Sequence, residues 1–192
     1  MIKYWKVIIV LFILTACGTD KYMTDLTDYR AQKDRQLMVL ESSPIPAFKR
    51  SYFEGLKYFD ANKNGVITGF FEEFSKKDTV LFNIGTGELE QYIKKGRVSF
   101  EYDNRKLSLI AFQGNGSNVN RIFIPFADLT SGVSTYGSGR YLYSIIKEGK
   151  VELDFNYASN PYCAYNEEYV CFPAPDENIL DVKIELGEKL YH

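Results

Sequence analysis

A mainly β fold, built as a single antiparallel β-barrel or sandwich domain with an N-terminal α-helix, is predicted by three features of this sequence. From Leu56 onward, about ten short runs of apolar, β-branched and aromatic residues alternate with Gly, Pro, Asn and Asp turn signals. Tyr and Phe, which favour strands, number 15 and 14. Residues 24–42 contain neither Gly nor Pro and are rich in helix formers.

The chain opens with Lys3 and Lys6, followed by an unbroken apolar run from Val7 to Leu14 and then Thr15, Ala16 and Cys17. A charged start, a short apolar core and small residues before a cut describe a secretory signal. The run is about eight residues, whereas a spanning helix needs roughly 20, so it is not a bilayer span.

Leu14-Thr15-Ala16-Cys17 resembles the lipobox of bacterial lipoproteins, in which the cysteine is acylated and becomes the first residue. The resemblance implies lipidation of Cys17, loss of residues 1–16 and a membrane-anchored protein outside the cytoplasm. Gly18 resembles the class sorted to the outer membrane of two-membrane bacteria. The competing reading is an ordinary cleaved signal with a cysteine beside it. Processing would remove two lysines and move the net charge from -2 to -4, with 21 basic against 25 acidic residues. A mildly acidic chain with no basic block argues against a nucleic-acid partner.

Residues 17–23 read as a polar tether, and residues 24–192 as one β domain with a leading helix. In that helix Leu26, Tyr29, Lys33, Leu37 and Leu40 recur at helical spacing. Thr24 can cap its start, and Pro44 and Pro46 end it. The stripe predicts packing on the domain, with a mobile spacer helix as the alternative.

Strands are expected over residues 56–60, 66–74, 79–84, 89–93, 97–102, 107–112, 121–126, 140–146, 151–157 and 179–186. Asn64-Gly65 reads as a turn joining the first two. A hairpin is expected between 140–146 and 151–157, with Lys147-Glu148-Gly149 as a three-residue turn. That register pairs Tyr141 with Phe155, Tyr143 with Leu153 and Ile145 with Val151, because apolar faces must match. It also sets Arg140 opposite Asn156 and diagonal to Asp154.

With Cys17 assigned to lipid, Cys163 and Cys171 remain, and an even remainder outside the cytoplasm reads as a disulfide. Closing that loop would stabilise by about 2.5 kcal/mol. A zinc site is the alternative; it would need further ligands, and the single histidine is His192. Ser-His-Asp and Cys-His catalysis, and histidine-ligated metals, need an imidazole placed beside partners. One histidine at a chain end argues against all of them.

Asp60-Ala61-Asn62-Lys63-Asn64-Gly65 resembles half of an EF-hand loop, but the closing carboxylate position holds Phe71, so a turn explains it more simply. No cofactor motif or metal site is recognised. The aromatic residues read mainly as strand and core, with a saccharide-stacking platform as the functional alternative. Arg140, Asp154 and Asn156, with Glu177 and Asn178 nearby, form the candidate site. It has three readings: a structural network, a pocket for a small polar or anionic ligand, or carboxylate acid–base chemistry by Asp154 and Glu177 in a hydrolase or lyase.

One set of linked motifs runs Thr135-Tyr136-Gly137-Ser138-Gly139-Arg140-Tyr141-Leu142, Leu153-Asp154-Phe155-Asn156, Asn160-Pro161-Tyr162-Cys163-Ala164-Tyr165, Cys171-Phe172-Pro173-Ala174-Pro175, Glu177-Asn178 and Gly187-Glu188-Lys189. Together they resemble the C-terminal signature of domain-of-unknown-function family 1684, over about residues 24–190. The family usually reads Cys-Pro where Phe172 intervenes here. The resemblance implies a domain boundary and adds Tyr136 to the candidate residues, but it implies no reaction. It also keeps a free thiol pair open for Cys163 and Cys171. The expected partners are a membrane, through Cys17, and a small-molecule ligand; a structural envelope role is the third reading.

Overall fold

The computed structural model describes residues 20–83, 89–116 and 118–191. The signal, Cys17, Ile84 and His192 lie outside the described residues. The described residues form helix α1 (Lys21–Val39), the short helix α2 (Ala47–Arg50) and seven strands: β1 (Val66–Glu73), β2 (Thr79–Asn83), β3 (Leu89–Tyr102), β4 (Arg105–Gly114), β5 (Arg121–Phe126), β6 (Arg140–Lys147) and β7 (Lys150–Asp154). The sheet runs β1-β7-β6-β5-β4-β3-β2, and β1 also pairs with β3. Six antiparallel strands therefore close a barrel, with β2 as an extra strand on β3.

Closure depends on the length of β3. Its first half pairs with β2 and its second with β1, and a bulge between Lys94 and Gly96 bends it from one to the other. The two strands expected at 89–93 and 97–102 are thus one. Gly96 sits where β1 comes closest: a Cβ there would lie 2.3 Å from the Glu72 carbonyl oxygen.

Inside the barrel pack Val98, Leu109, Ile122, Ile124, Leu142, Val151, Leu153 and Phe155, all nearly inaccessible. Each fully buried side chain of this size contributes about 1.5–3 kcal/mol. A second cluster of Phe82, Ile110, Phe112, Phe123 and Tyr141 covers part of the other sheet face. That second core overturns the expected hairpin register. The turn is Glu148-Gly149, two residues at φ +51° and +71°, and Ile146 pairs with Val151. Positive φ at both positions matches the right-handed strand twist. The matching-face premise failed because Tyr141 and Tyr143 have their own apolar partner on the far face, Phe123, at ring distances of 4.8 and 5.2 Å.

Two further expectations are corrected. Residues 56–60 form no hairpin with β1; Tyr58 makes a single bridge to Glu188, and Asn62 caps a 3-10 turn over Lys63–Gly65. Residues 179–186 form no ladder strand. Their alternation is genuine, since Leu180, Val182, Ile184 and Leu186 enter the core, but the backbone is held by single bonds such as Leu180 N–H to the Ala127 carbonyl, 2.8 Å.

α1 begins at Lys21, three residues before the expected start. Its cap is Asp20, which accepts from the Tyr22 N–H and pairs with Lys63 at 2.5 Å. The helix packs on the domain: Leu26 and Leu37 are buried, and Leu37 joins a third cluster with Ile45 and Tyr165. Most of its remaining contacts are polar. Lys33 reaches buried Glu188, and the Arg30 guanidinium lies 4.2 Å above the Tyr58 ring. Among the described residues, no helix is long and apolar enough to cross a membrane.

Candidate functional site

The sequence-derived candidates do not meet in one pocket. They form three separate clamps, and each ties an irregular segment to the barrel. Arg140 opens β6 with its side chain fully buried. Nη2 donates to Asp128 Oδ2 at 2.7 Å and to the Ile184 carbonyl at 2.9 Å; Nη1 donates to the carbonyls of Leu186 and Glu188. Burial pushes the guanidinium pKa below its ordinary value, and Asp128 opposes that shift. This fork takes up the carbonyls that a ladder would otherwise satisfy. It explains how residues 180–188 can be buried without pairing as a strand.

Arg140 and Asn156 are not cross-strand partners. The chain leaves β7 in a 3-10 turn, Phe155–Tyr157, and it is Ser159 that pairs with Tyr141. Asp154 and Asn156 instead hold α1. Tyr22 Oη donates to Asp154 Oδ2 at 2.9 Å, and Asn156 Nδ2 donates to Tyr22 Oη at 2.9 Å. Asn156 also bridges both backbone groups of Asn62. Burial, followed by the bond to Asp154, pushes the Tyr22 phenol above its ordinary value.

The third clamp compensates for a proline. β4 and β5 pair at Phe112 and Phe123, and Pro125 brings no N–H to extend that ladder. The Asn178 side chain fills the gap: Nδ2 donates to the carbonyls of Ile110 and Pro125, and Oδ1 accepts from the Ile110 N–H at 2.6 Å. Neighbouring Glu177 faces outward to Lys94 at 2.8 Å, and that bond lowers its carboxyl pKa. Among the described residues, Glu177 and Asp154 therefore have different hydrogen-bond partners.

Two clefts among the described residues are large enough for a small ligand. One, of about 750 Å³, is lined by Asp60, Asn62, Asn64, Glu101, Asp103, Lys183 and Glu185 over Phe59, Ile67 and Leu186. The other, of about 790 Å³, lies between the 43–49 segment and the loop of residues 163–169, and Tyr136 is on its lining. Phe48, Tyr169, Pro44 and Pro46 supply its apolar surface, and Lys49, Asn166, Glu167 and Glu168 its polar groups. Tyr136 is the one ligand candidate from the sequence that lines either large cleft. Cys163 is on the same wall, and it forms a disulfide with Cys171. Among the described residues, no group of three or more His, Cys, Asp or Glu is arranged to hold a metal ion.

A family model of proteins of unknown function, DUF1684, matches residues 51–189. The chain belongs to the DUF1684 family. Its match takes in the whole barrel, the Arg140 and Asn178 clamps and the disulfide loop, while of the second clamp it includes Asp154 and Asn156 but not Tyr22. The solution NMR structure of an uncharacterised protein from Haloarcula marismortui is similar to this DUF1684 chain, with a TM-score of 0.71 and 29% identity over 88% of this chain and 94% of that one. No curated protein matches the sequence.

Several residues that matter to this DUF1684 fold were missed in the sequence. Asp128 has no motif around it, and Tyr22 lay in the supposed tether. Phe48 and Tyr169 sit in segments without periodicity. Glu188 was quoted in the family signature with no role, yet it accepts from Lys33, the Asn160 N–H and Tyr165 Oη.

Proposed function

We propose that this protein is a lipid-anchored, extracytoplasmic binding protein whose ligand is a small, polar, uncharged molecule of the saccharide class, held in the cleft that Tyr136 lines. The observation that carries this reading is the cleft's lining. Aromatic surface from Phe48, Tyr136 and Tyr169 stands beside Asn166, Glu167, Glu168 and Lys49. Small-molecule sites combine apolar walls with a few polar groups in about 300–1,000 Å³, and 790 Å³ falls in that range. A sugar offers an apolar face to the rings and hydroxyls to the amide, carboxylates and ammonium.

An anionic ligand has less support, because the Arg140 guanidinium is committed to Asp128 and three backbone carbonyls. On the cleft's lining, Lys49 is outnumbered by Glu167 and Glu168. The hydrolase or lyase reading has less support, since Asp154 is bonded to Tyr22 and Asn156 while Glu177 faces outward to Lys94.

The anchor rests on the Leu14–Cys17 motif alone. Cys17 is three residues from Asp20, and extended chain spans at most about 3.6 Å per residue. An acylated Cys17 would therefore hold the start of α1 within about 11 Å of its lipid. α1 is 19 residues long, about 28 Å at 1.5 Å per residue. Ser43 and Pro44 on the cleft's lining follow its far end. On this reading the binding cleft stands a helix length away from the anchor.

The test is a thermal-shift screen of the mature protein in detergent against neutral oligosaccharides and their uronic-acid counterparts. Ligand at about 100 times its Kd stabilises by roughly 2.7 kcal/mol, a rise of several degrees. Stabilisation by neutral sugars supports the reading; stabilisation by the anionic set alone contradicts it.

A further inference from the structure

The disulfide loop forms one wall of the proposed binding cleft, and both ends of that loop are held by bonds that do not involve the disulfide, upstream to the C-terminal segment and downstream to β6. Upstream, the Asn160 N–H donates to Glu188 Oε2 and its side chain donates to the Lys189 carbonyl, each at 2.8 Å. Downstream, the Phe172 N–H donates to Tyr141 Oη at 3.0 Å, and Tyr141 Oη donates to the Phe172 carbonyl at 2.9 Å. The Phe172 ring stacks on Phe82 with centroids 3.6 Å apart. What the Cys163–Cys171 bond adds is the conformation of the segment between them, which supplies Ala164 to Tyr169 to the cleft. Within that segment Tyr165 is anchored on Glu188 at 2.5 Å, while the hydrogen bonds of Asn166 and Glu168 stay within the loop, to each other and between Asn166 and the backbones of Tyr162 and Tyr169. Both cysteines are partly exposed, so a reductant can reach them.

We infer that Cys163–Cys171 is a redox latch on the wall of this cleft, and that its reduction loosens the ligand site while the barrel stays folded. The inference rests on the binding role proposed above for the cleft. The co-reactant is a dithiol. Its thiolate attacks one sulfur, the S–S bond breaks, and the other cysteine leaves as a thiolate that takes up a proton. The second thiol of the reductant, as its thiolate, then attacks the reductant sulfur of the mixed disulfide, closes the reductant's own disulfide and expels the remaining cysteine as a thiolate that is protonated in turn. Two electrons and two protons end on Cys163 and Cys171, and the reductant departs as a disulfide.

The experiment is amide hydrogen exchange by mass spectrometry on the mature protein in detergent, oxidised and after dithiothreitol, with the Cys163→Ser/Cys171→Ser variant alongside. The latch predicts at least ten-fold faster exchange in peptides spanning 162–171, with peptides from β5, β6 and β7 unchanged. Faster exchange throughout the barrel would make the bond a global staple. Unchanged exchange in 162–171 would mean that the loop holds its own shape. Either result overturns the latch. Chitotriose and maltotriose titrations run in parallel, with affinity expected to fall at least five-fold on reduction. Equal affinity in both redox states overturns the regulation. Absence of binding to the oxidised form sinks the cleft's proposed role, and the exchange result alone then decides the latch.

Discussion

Arg140 and Asp128 form an ion pair in which both side chains are wholly buried, at 2.7 Å. Removing one partner of such a pair leaves an uncompensated charge in the core and costs about 3–5 kcal/mol. Arg140→Ala is therefore expected to lower the melting temperature by roughly 6–20 °C. The double change Arg140→Met/Asp128→Leu should recover part of that loss. A thermal scan of the three proteins checks this; an Arg140→Ala protein as stable as wild type would show that residues 180–188 do not depend on the fork.

The Tyr22 hydroxyl joins α1 to both Asp154 and Asn156. Tyr22→Phe leaves those two groups short of a partner, at a cost of about 1–3 kcal/mol. The loss should be local to α1, so limited proteolysis within residues 21–39 should accelerate while the barrel stays resistant. Uniform resistance in the variant would mean that Leu26 and Leu37 hold the helix unaided.

Alkaline stability follows from the phenols. Burial raises the pKa of Tyr22, Tyr58, Tyr141 and Tyr165 above the ordinary value. The folded chain thus keeps these protons at pH values where the unfolded chain, near 10, has released them. That contribution is complete below about pH 10 and is lost as pH rises through the folded values. Urea melts from pH 8 to 11.5 should show stability falling above pH 10, less steeply in Tyr22→Phe. A flat profile over that range would contradict the assignment.

Asn178 carries three bonds that the β4–β5 ladder lacks. Asn178→Ala leaves the Ile110 N–H and two carbonyls unpaired in the core and should cost at least about 2 kcal/mol. Asn178→Asp keeps the acceptor and loses both donors. Denaturant melts should rank both below wild type; parity would mean that the two strands hold together without the amide.

Much of the architecture was legible because strands signal locally. Residues 121–126 are bounded as expected, and 107–112 lies within β4. Long-range pairing was not legible. Nothing near Tyr141 says that Phe123 and Phe172 will cover it from the far side, so the face-matching rule picked the wrong hairpin register. At residues 179–186 the alternation correctly marked burial, but whether carbonyls meet a strand or an arginine 44 residues earlier depends on topology alone. For the same reason Arg140, Asp154, Asn156 and Asn178 stood out as a set, while their division into three clamps did not. The large clefts were hardest to foresee, because each is lined by segments far apart in the sequence.

Lipid attachment is testable at one atom. Cys17→Ser should abolish incorporation of radiolabelled palmitate and leave residues 1–16 uncleaved. Labelling that persists in the variant would remove the anchor from the account.

The most direct test of the central claim is a ¹⁵N–¹H titration of the oxidised mature protein with chitotriose and maltotriose. Binding in the proposed cleft predicts saturable shifts at the amides of Phe48, Tyr136, Asn166 and Tyr169, and their loss in Phe48→Ala. Shifts confined to Asp60, Asp103 and Lys183 in the other cleft, or none at millimolar sugar, would contradict it.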